Sequence, residues 1–249
     1  MAQDWRANQA LSLDLVLELL RRVEMHIGEA RSGKETNKWV TAHCYFVISF
    51  VLSLRGPEGF LLDLDGTRFY WKEKSIDEEH GEYIYVCLRG QVKGEHGIRC
   101  HVLPCVATTG SGIKVKESVR RLLALKAAQG FKDGPAISDE EGVLLPSHFM
   151  DETMIEVLEK IYAGQKSLFP KKVTSANDLK GMYQVFRSLR RSSDSHALNK
   201  KVAPTDIDIV NRWEGVESAR GQRPGRAMKY HYADVVLLLK PFLRYTRAH

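Results

Sequence analysis

An almost wholly apolar segment, Tyr45 to Leu54, that stops at a single arginine constrains this chain more than any other feature. From Trp39 onward the residues are apolar nearly all round, which predicts a helix packed on several sides inside a domain. Gly56 and Pro57 end that helix, because proline cannot continue it. Arg55 therefore stands at the end of a buried element, where a fixed cation is costly unless it binds an anion such as a phosphate.

Glu58 follows Arg55 at a distance of three residues. In the functional interpretation this acid holds the guanidinium fork of Arg55 in place for a phosphate. In the simpler interpretation the two residues form an ordinary surface ion pair, which contributes little. The sequence leaves both open.

The bulk composition is that of a folded, moderately basic protein. Of the 249 residues 43% are hydrophobic and 9% aromatic, which is too many for a disordered chain. Lys and Arg number 37 against 31 Asp and Glu, so the net charge of +6 favours an anionic partner without proving one.

The four cysteines and the lack of a secretory leader predict an intracellular protein, nuclear if eukaryotic and otherwise cytoplasmic. Cys44, Cys87, Cys100 and Cys105 form no C-x-x-C pair, so we expect reduced thiols. No zinc site is predicted, because Cys100 and His101 are adjacent on a strand and point to opposite faces. The apolar runs reach only about ten residues, too short to span a bilayer.

Hydrophobic periodicity predicts helices on both sides of a small antiparallel sheet. Ser12 and Asp151 are expected as helix N-caps, Pro204 in a first turn, and Pro104 at the end of the sheet. The predicted helices are 12–23, 39–54, 115–123, 151–162, 179–189, 204–210 and 232–245, and the predicted strands are two within 60–71 around a turn at Asp65-Gly66, then 83–89 and 98–103. Residues 72–82 are expected to be a charged loop. This order favours a single α+β domain, mainly α, over a doubly wound fold.

Phosphodiester transfer without a metal needs cations on the non-bridging oxygens, a nucleophile and an acid for the leaving oxygen. Arg55 and Arg190 are candidates for the clamp. Lys93, at the tip of a predicted hairpin, is a candidate acid, and a tyrosine near the C-terminus is a candidate nucleophile.

The order of these motifs resembles the tyrosine recombinase (phage integrase) family, and is most similar to integrase-like genes of eukaryotic mobile elements. The matching segments are Leu54-Arg55-Gly56-Pro57-Glu58, Val92-Lys93-Gly94-Glu95, Arg187-Ser188-Leu189-Arg190-Arg191, Asn211-Arg212-Trp213 and Lys229-Tyr230-His231-Tyr232. The resemblance covers residues 12–247 and implies the helical DNA breaking-rejoining catalytic domain, without the N-terminal core-binding domain of the family. We therefore expect a fragment, a split gene product or a decayed element.

The resemblance also implies roles for these residues in DNA recombination and integration. Tyr232 would attack a DNA phosphate to form a 3′-phosphotyrosyl link, with Arg55 and Arg190 neutralising the transition state. The indole N–H of Trp213 would add a hydrogen bond. Glu58 would orient Arg55 without itself contacting the DNA. Family members need neither metal nor ATP and work as tetramers on double-stranded DNA, with a C-terminal segment, here residues 235–243, exchanged between neighbours.

Two departures from the family pattern bear on activity. Arg187 stands at the usual histidine position, and a guanidinium donates hydrogen bonds but does not shuttle protons near neutral pH. His231 is a possible substitute base. An inserted loop between Trp213 and Tyr232 carries Arg220, Arg223 and Arg226, which are candidate DNA contacts together with Arg191.

Alternatives remain open for each assignment. Tyr230 and Tyr245 compete with Tyr232 for the nucleophile, Lys93 has the simpler interpretation of a solvated turn lysine, and Trp213 that of a core residue. The arginines of segment 187–191 are also typical of the solvent-exposed face of a helix. The alternative function is a catalytically impaired, recombinase-derived DNA-binding module, and a third is a basic protein-interaction domain.

Overall fold

The computed structural model describes residues 9–71, 75–90, 98–211 and 235–249. The helices are α1 (Leu13–Glu29), α2 (Gly33–Val51), α3 (Gly56–Gly59), α4 (Leu64–Trp71), α5 (Val115–Ala128), α6 (Ser147–Gly164), α7 (Ala176–Met182), α8 (Val185–Asn199), α9 (Pro204–Asn211) and α10 (Val235–Ala248), with a 3-10 turn at Lys166–Leu168; the strands are β1 (Ser75–Asp77), β2 (Gly81–Gly90) and β3 (Arg99–Val106). The predicted fold class, mainly α with a small antiparallel sheet, is confirmed.

Helix α2 is the centre of the core, as its apolar sequence predicts. It packs against α1, α5 and α8, and Phe46, Val47 and Phe50 are fully buried. Burial of each large apolar side chain contributes about 1.5–3 kcal/mol. None of the described helices is both long and apolar enough to cross a bilayer.

The first helix also follows the prediction. Its N-cap is Ser12, whose Oγ accepts a hydrogen bond from Leu15 N at 3.2 Å. A serine at this position satisfies one of the N–H groups that have no partner within the helix. At the other end of the chain, α9 begins at Pro204 as predicted.

The three strands form one antiparallel sheet in the order β1-β2-β3. The pairing of β2 with β3 runs from Tyr83 opposite Val106 to Gly90 opposite Arg99. The hairpin connection that follows Gly90 contains Lys93, which lies outside the described residues. Pro104 is inside β3 and does not end the sheet, because an edge strand tolerates the missing N–H.

Residues 60–71 do not form the two predicted strands, since Leu64–Trp71 is α4. Asp63 explains the difference, because its Oδ1 accepts from Gly66 N at 2.7 Å and caps the start of the helix. The predicted loop 72–82 is also partly wrong, as Ser75–Asp77 pairs with β2.

The predicted helix 179–189 is broken between α7 and α8. Tyr183 is extended there, and the N–H of Val185 donates to Asp151 Oδ1 at 2.7 Å. Asp151 therefore accepts a hydrogen bond from the first residue of α8. It does not cap α6, the helix in which it lies, because the N-cap of α6 is Pro146. This cap fixes where the helix carrying Arg190 begins.

The thiol prediction is wrong for two of the four cysteines, because Cys87 and Cys100 form a disulfide. The β2–β3 register places Cys100 opposite Arg89, two residues from Cys87 on the same face of the strand. Cys44 and Cys105 are buried thiols, and burial raises the pKa of Cys44 to about 12.

Helix α10 packs on its own chain, against α9 and β3. Phe242, Leu243 and Tyr245 are buried there, and Pro241 lies within the helix. The Oγ of Thr246 accepts from Val106 N at 3.2 Å, which ties the helix to the edge of the sheet. In this arrangement the buried side chains of the helix are core of their own chain.

Candidate active site

Arg55 is held by a reciprocal pair of hydrogen bonds with Glu58. Glu58 N donates to Arg55 O at 2.8 Å, and Arg55 N donates to Glu58 Oε2 at 2.8 Å. Glu58 is only 3% exposed. Glu58 thus positions Arg55 through the main-chain N–H of Arg55. The resemblance instead implies that Glu58 orients the guanidinium of Arg55. Within the described part of the chain, the Arg55 guanidinium makes no hydrogen bond or ion pair.

The short helix α3 sits closely on α2 and α8. Tyr45 of α2 donates its hydroxyl to Gly56 O at 2.9 Å. A Cβ on Gly56 would lie 2.0 Å from Phe186 Cγ of α8, so any side chain there would displace the turn. Glycine at this position is therefore required for the Arg55 turn to approach the helix that carries Arg190.

Arg190 reaches back to the end of α2. Its Nη1 donates to Ser53 O at 3.1 Å and its Nη2 to Asn211 O at 3.1 Å. Ser53 precedes Arg55 by two residues, a chain length of at most about 7 Å. Ser53 and Arg190 are 137 residues apart in sequence, so this bond brings the third motif to the start of the first.

The other arginines of α8 differ in exposure. Arg187 and Arg191 are exposed and Arg190 is half-buried. Residues four apart share a helix face, so Arg187 and Arg191 form one cationic edge beside the Arg190 guanidinium. Arg187 is the residue that stands at the histidine position of the family.

Asp194, one turn after Arg190, is the centre of a polar network beneath these arginines. Its Oδ1 accepts from Ser53 Oγ at 2.9 Å, from Asn211 Nδ2 at 2.7 Å and from the Tyr245 hydroxyl at 2.8 Å. The network joins the end of α2 to α8, α9 and α10.

Tyr245 is not a suitable nucleophile. It is fully buried, and its hydroxyl lies 2.8 Å from both Ser193 Oγ and Asp194 Oδ1. Burial and the nearby Asp194 carboxylate raise its pKa well above the ordinary value. This alternative is therefore set aside, and Tyr232 and Tyr230 remain.

The rest of the predicted set lies outside the described residues. These residues are Lys93, Trp213, Arg220, Arg223, Arg226, Tyr230, His231 and Tyr232. Their roles stay predictions from the sequence. The structure joins Glu58 to the Arg55 main chain and brings Arg190 to Ser53, two residues before Arg55. Arg187 and Arg191 lie on the same helix as Arg190.

A second polar cluster, between α1, α2 and α5, resembles a hydrolytic triad in composition only. His43 Nδ1 is 2.9 Å from Ser118 Oγ, and His43 Nε2 is 3.5 Å from Glu24. Ser118 is 3% exposed, and both oxygens of Glu24 accept from Arg121, at 2.6 and 2.7 Å. A buried hydroxyl and a carboxylate already paired with a guanidinium are features of packing.

One group of acids and a histidine has the composition of a metal site. Ligand atoms of Asp77, Glu79 and His80 lie within 4.8 Å of one another. Lys240 Nζ, however, is 2.7 Å from Asp77 Oδ2 and 3.9 Å from Glu79 Oε2. The chain therefore supplies its own cation to this group.

The sequence interpretation missed Ser53, Asp194 and Asn211. Asp194 had a readable signal, since an acid four residues after Arg190 lies on the same helix face. Ser53 and Asn211 had none, because they act on Arg190 through main-chain carbonyls.

The sequence matches no protein-family model and no curated protein. Among solved structures, it is similar to the crystal structure of the XerH site-specific recombinase bound to its difH substrate in a pre-cleavage complex, with a TM-score of 0.46 and 12% identity. The match covers 93% of this chain and 52% of the other, so the chain spans about half the length of that recombinase. A likeness this distant carries no argument about chemistry.

Proposed function

We propose that this chain cuts and rejoins DNA strands through a covalent phosphotyrosyl intermediate. The observation that carries the proposal is the bond from Arg190 to Ser53 O, which brings the Arg190 guanidinium beside the Arg55 turn. A guanidinium held beside a second arginine turn suits the non-bridging oxygens of a phosphodiester. The order of the sequence motifs supplies the remaining parts.

In the proposed reaction the Tyr232 hydroxyl gives its proton to His231, its oxygen attacks phosphorus, and the bond to the 5′ oxygen breaks. Lys93 gives a proton to the departing oxygen, which leaves as a 5′ hydroxyl, while the 3′ phosphate stays on Tyr232. A 5′ hydroxyl from a partner duplex then gives its proton to Lys93 and attacks the same phosphorus, and the bond to Tyr232 breaks as the tyrosine oxygen takes its proton back from His231. Bond energy is conserved in both steps, so no external energy source is needed.

Arg190 supports this mechanism by being fixed before the substrate arrives. Two main-chain carbonyls hold its fork, so little reorganisation is needed when charge develops on the phosphate oxygens. These two bonds orient the plane of the guanidinium. Arg55 lies on a turn held by Glu58 and Tyr45.

A nicked suicide substrate tests the proposal, because cleavage releases a short strand and traps the protein–DNA adduct. We expect an adduct with the wild-type protein and with Tyr230→Phe, and none with Tyr232→Phe. If Tyr232→Phe still forms the adduct while Tyr230→Phe does not, the nucleophile assignment moves to Tyr230. No adduct with wild-type protein on any substrate contradicts the proposed function.

A second candidate function, a DNA-binding module without cleavage, is favoured by Arg187. An exposed guanidinium at this position binds phosphate well but cannot accept the proton of an attacking tyrosine. Duplex binding with a steep salt dependence, and no adduct, is its expected signature. We propose double-stranded DNA as the partner in both cases, and a tetramer on DNA for the cleaving form.

A further inference from the structure

We infer that Asp194 is a positioning residue for the proposed cleavage, because it fixes both carbonyl groups that hold the Arg190 guanidinium. The chemical consequence rests on the proposed function. The positioning is a property of the folded chain and is measurable without DNA.

Three donors from three distant segments converge on one oxygen of Asp194. They are Ser53 Oγ at 2.9 Å, Asn211 Nδ2 at 2.7 Å and the Tyr245 hydroxyl at 2.8 Å. A carboxylate accepts stronger hydrogen bonds than a neutral oxygen. Asp194 therefore fixes the ends of α2 and α9 relative to α8.

Two of the three residues whose side chains donate to Asp194 also supply the carbonyls that accept from Arg190. Ser53 O receives Nη1 and Asn211 O receives Nη2, both at 3.1 Å. Ser53 Oγ also lies 2.7 Å from Asn211 Oδ1, so these two residues contact each other directly. Movement of either one would shift an acceptor of the Arg190 fork.

The backbone of Ser53 shows that this position is shaped for the network. Its φ of 50° is left-handed, a conformation that favours glycine. A glycine would make the turn with less strain but would lack the hydroxyl that reaches Asp194 and Asn211. Ser53→Gly therefore separates the side-chain role from the turn itself.

The network has a defined direction of hydrogen bonding that reaches α10. If the Tyr245 hydroxyl donates to Asp194, it accepts from Ser193 Oγ at 2.8 Å. Ser193 Oγ then accepts from His249 Nε2 at 2.7 Å, which assigns the neutral Nε2–H tautomer. Burial lowers the pKa of His249 to about 3, in agreement with a neutral ring.

The test compares Asp194→Ala with the control Ser195→Ala, an exposed neighbour on the same helix. Single-turnover cleavage at saturating DNA, duplex affinity and the side-chain ¹⁵N NMR signals of Arg190 are measured for each. We expect Asp194→Ala to slow cleavage about 100-fold with unchanged duplex affinity, as for a misplaced catalytic group. The Arg190 Nη signals, distinct in the wild type, are expected to merge as the guanidinium rotates freely.

Two further variants separate positioning from general damage to the fold. Asp194→Asn keeps an acceptor of the same shape and is expected to restore cleavage to within about tenfold of wild type. Ser53→Gly keeps the turn and remains usable if Asp194→Ala does not fold; it is expected to slow cleavage by a similar factor.

Wild-type cleavage rates in both Asp194→Ala and Ser53→Gly would overturn the inference, as would a parallel fall of affinity and cleavage. If the wild-type protein forms no adduct at all, the proposed function fails. The Arg190 NMR signals still decide the positioning in that case, because distinct Nη signals in Asp194→Ala would contradict it.

Discussion

Lys126 and Arg190 both donate to main-chain carbonyls, and the comparison between them shows how an ammonium and a guanidinium use such acceptors. Lys126 of α5 is fully buried, and its Nζ donates to Asn37 Oδ1, Ser138 O and Asp139 O at 2.7–2.9 Å. An ammonium has three protons, so these acceptors use all of them.

Arg190 also donates to main-chain carbonyls, those of Ser53 and Asn211. Two carbonyls take two of its five N–H groups, and its side chain is half-buried. The planar fork is thus oriented by carbonyls from two distant segments of the chain. Exposure distinguishes the two cations, because Lys126 is fully buried and Arg190 is half-buried.

The largest expected effect is at Arg190. Arg190→Ala should lower the single-turnover cleavage rate about 1000-fold, because the lost donors act mainly on the transition state. Arg190→Lys keeps the charge without the fork and should recover little of the rate. Duplex affinity, measured by titration, should change far less than the rate. Equal losses in affinity and rate would remove the distinction from an ordinary DNA contact.

Lys126→Met should instead lower the free energy of unfolding by about 3 kcal/mol, since it leaves three buried acceptors without their cation. Urea denaturation measures this change. The exposed Lys132→Met is the matched control and should have no measurable effect. Cleavage per folded molecule should stay at the wild-type level; a selective loss of cleavage would make Lys126 part of the site.

The pH dependence of stability should carry a contribution from Lys126. Burial lowers the pKa of its ammonium from 10.5 to about 8. Between these values the unfolded chain binds a proton that the folded chain has released, so unfolding free energy rises with pH by at most about 1.4 kcal/mol per unit. The slope should be absent in Lys126→Met, and the difference between the two curves isolates it from the thiols and tyrosines. Identical slopes in both proteins would contradict the assignment.

The smallest expected effect is at Glu58. Glu58→Gln keeps a side-chain oxygen for the Arg55 N–H and loses only the charge, so cleavage should fall by about threefold to tenfold. Glu58→Ala removes the acceptor and should cost more. A fall as large as that of Arg190→Ala for the glutamine variant would indicate that the charge itself acts on the phosphate.

The central helix and the hairpin could be predicted because their residues carry the information locally. Segment 39–54 is apolar nearly all round, and strands 83–89 and 98–103 are rich in β-branched and aromatic residues. The prediction of strands in residues 60–71 is wrong because it depends on a turn at Asp65-Gly66, and both residues lie in α4. The helix cap at Asp63, three residues before Gly66, was the signal that decided the structure.

The parts that could not be predicted depend on distant partners. The break before α8 is fixed by Asp151, 34 residues away from Val185. The carbonyls that hold Arg190 belong to Ser53 and Asn211. Every residue type has a main-chain carbonyl, so the sequence does not identify these acceptors. The structural role of Lys126 had a weak signal, since it continues the apolar stripe of Val119 and Leu122 at helical spacing.

The long span of the Asp194 network has a consequence for synthesis of the protein. Ser53 and Asn211 are separated by 158 residues, and Tyr245 follows later still. A ribosome that has released only the first six helices has made Arg55 but neither Arg190 nor its second acceptor. Unfinished polypeptides therefore lack an acceptor that holds the Arg190 guanidinium, and the nascent chain gains the full network only when Tyr245 has been made.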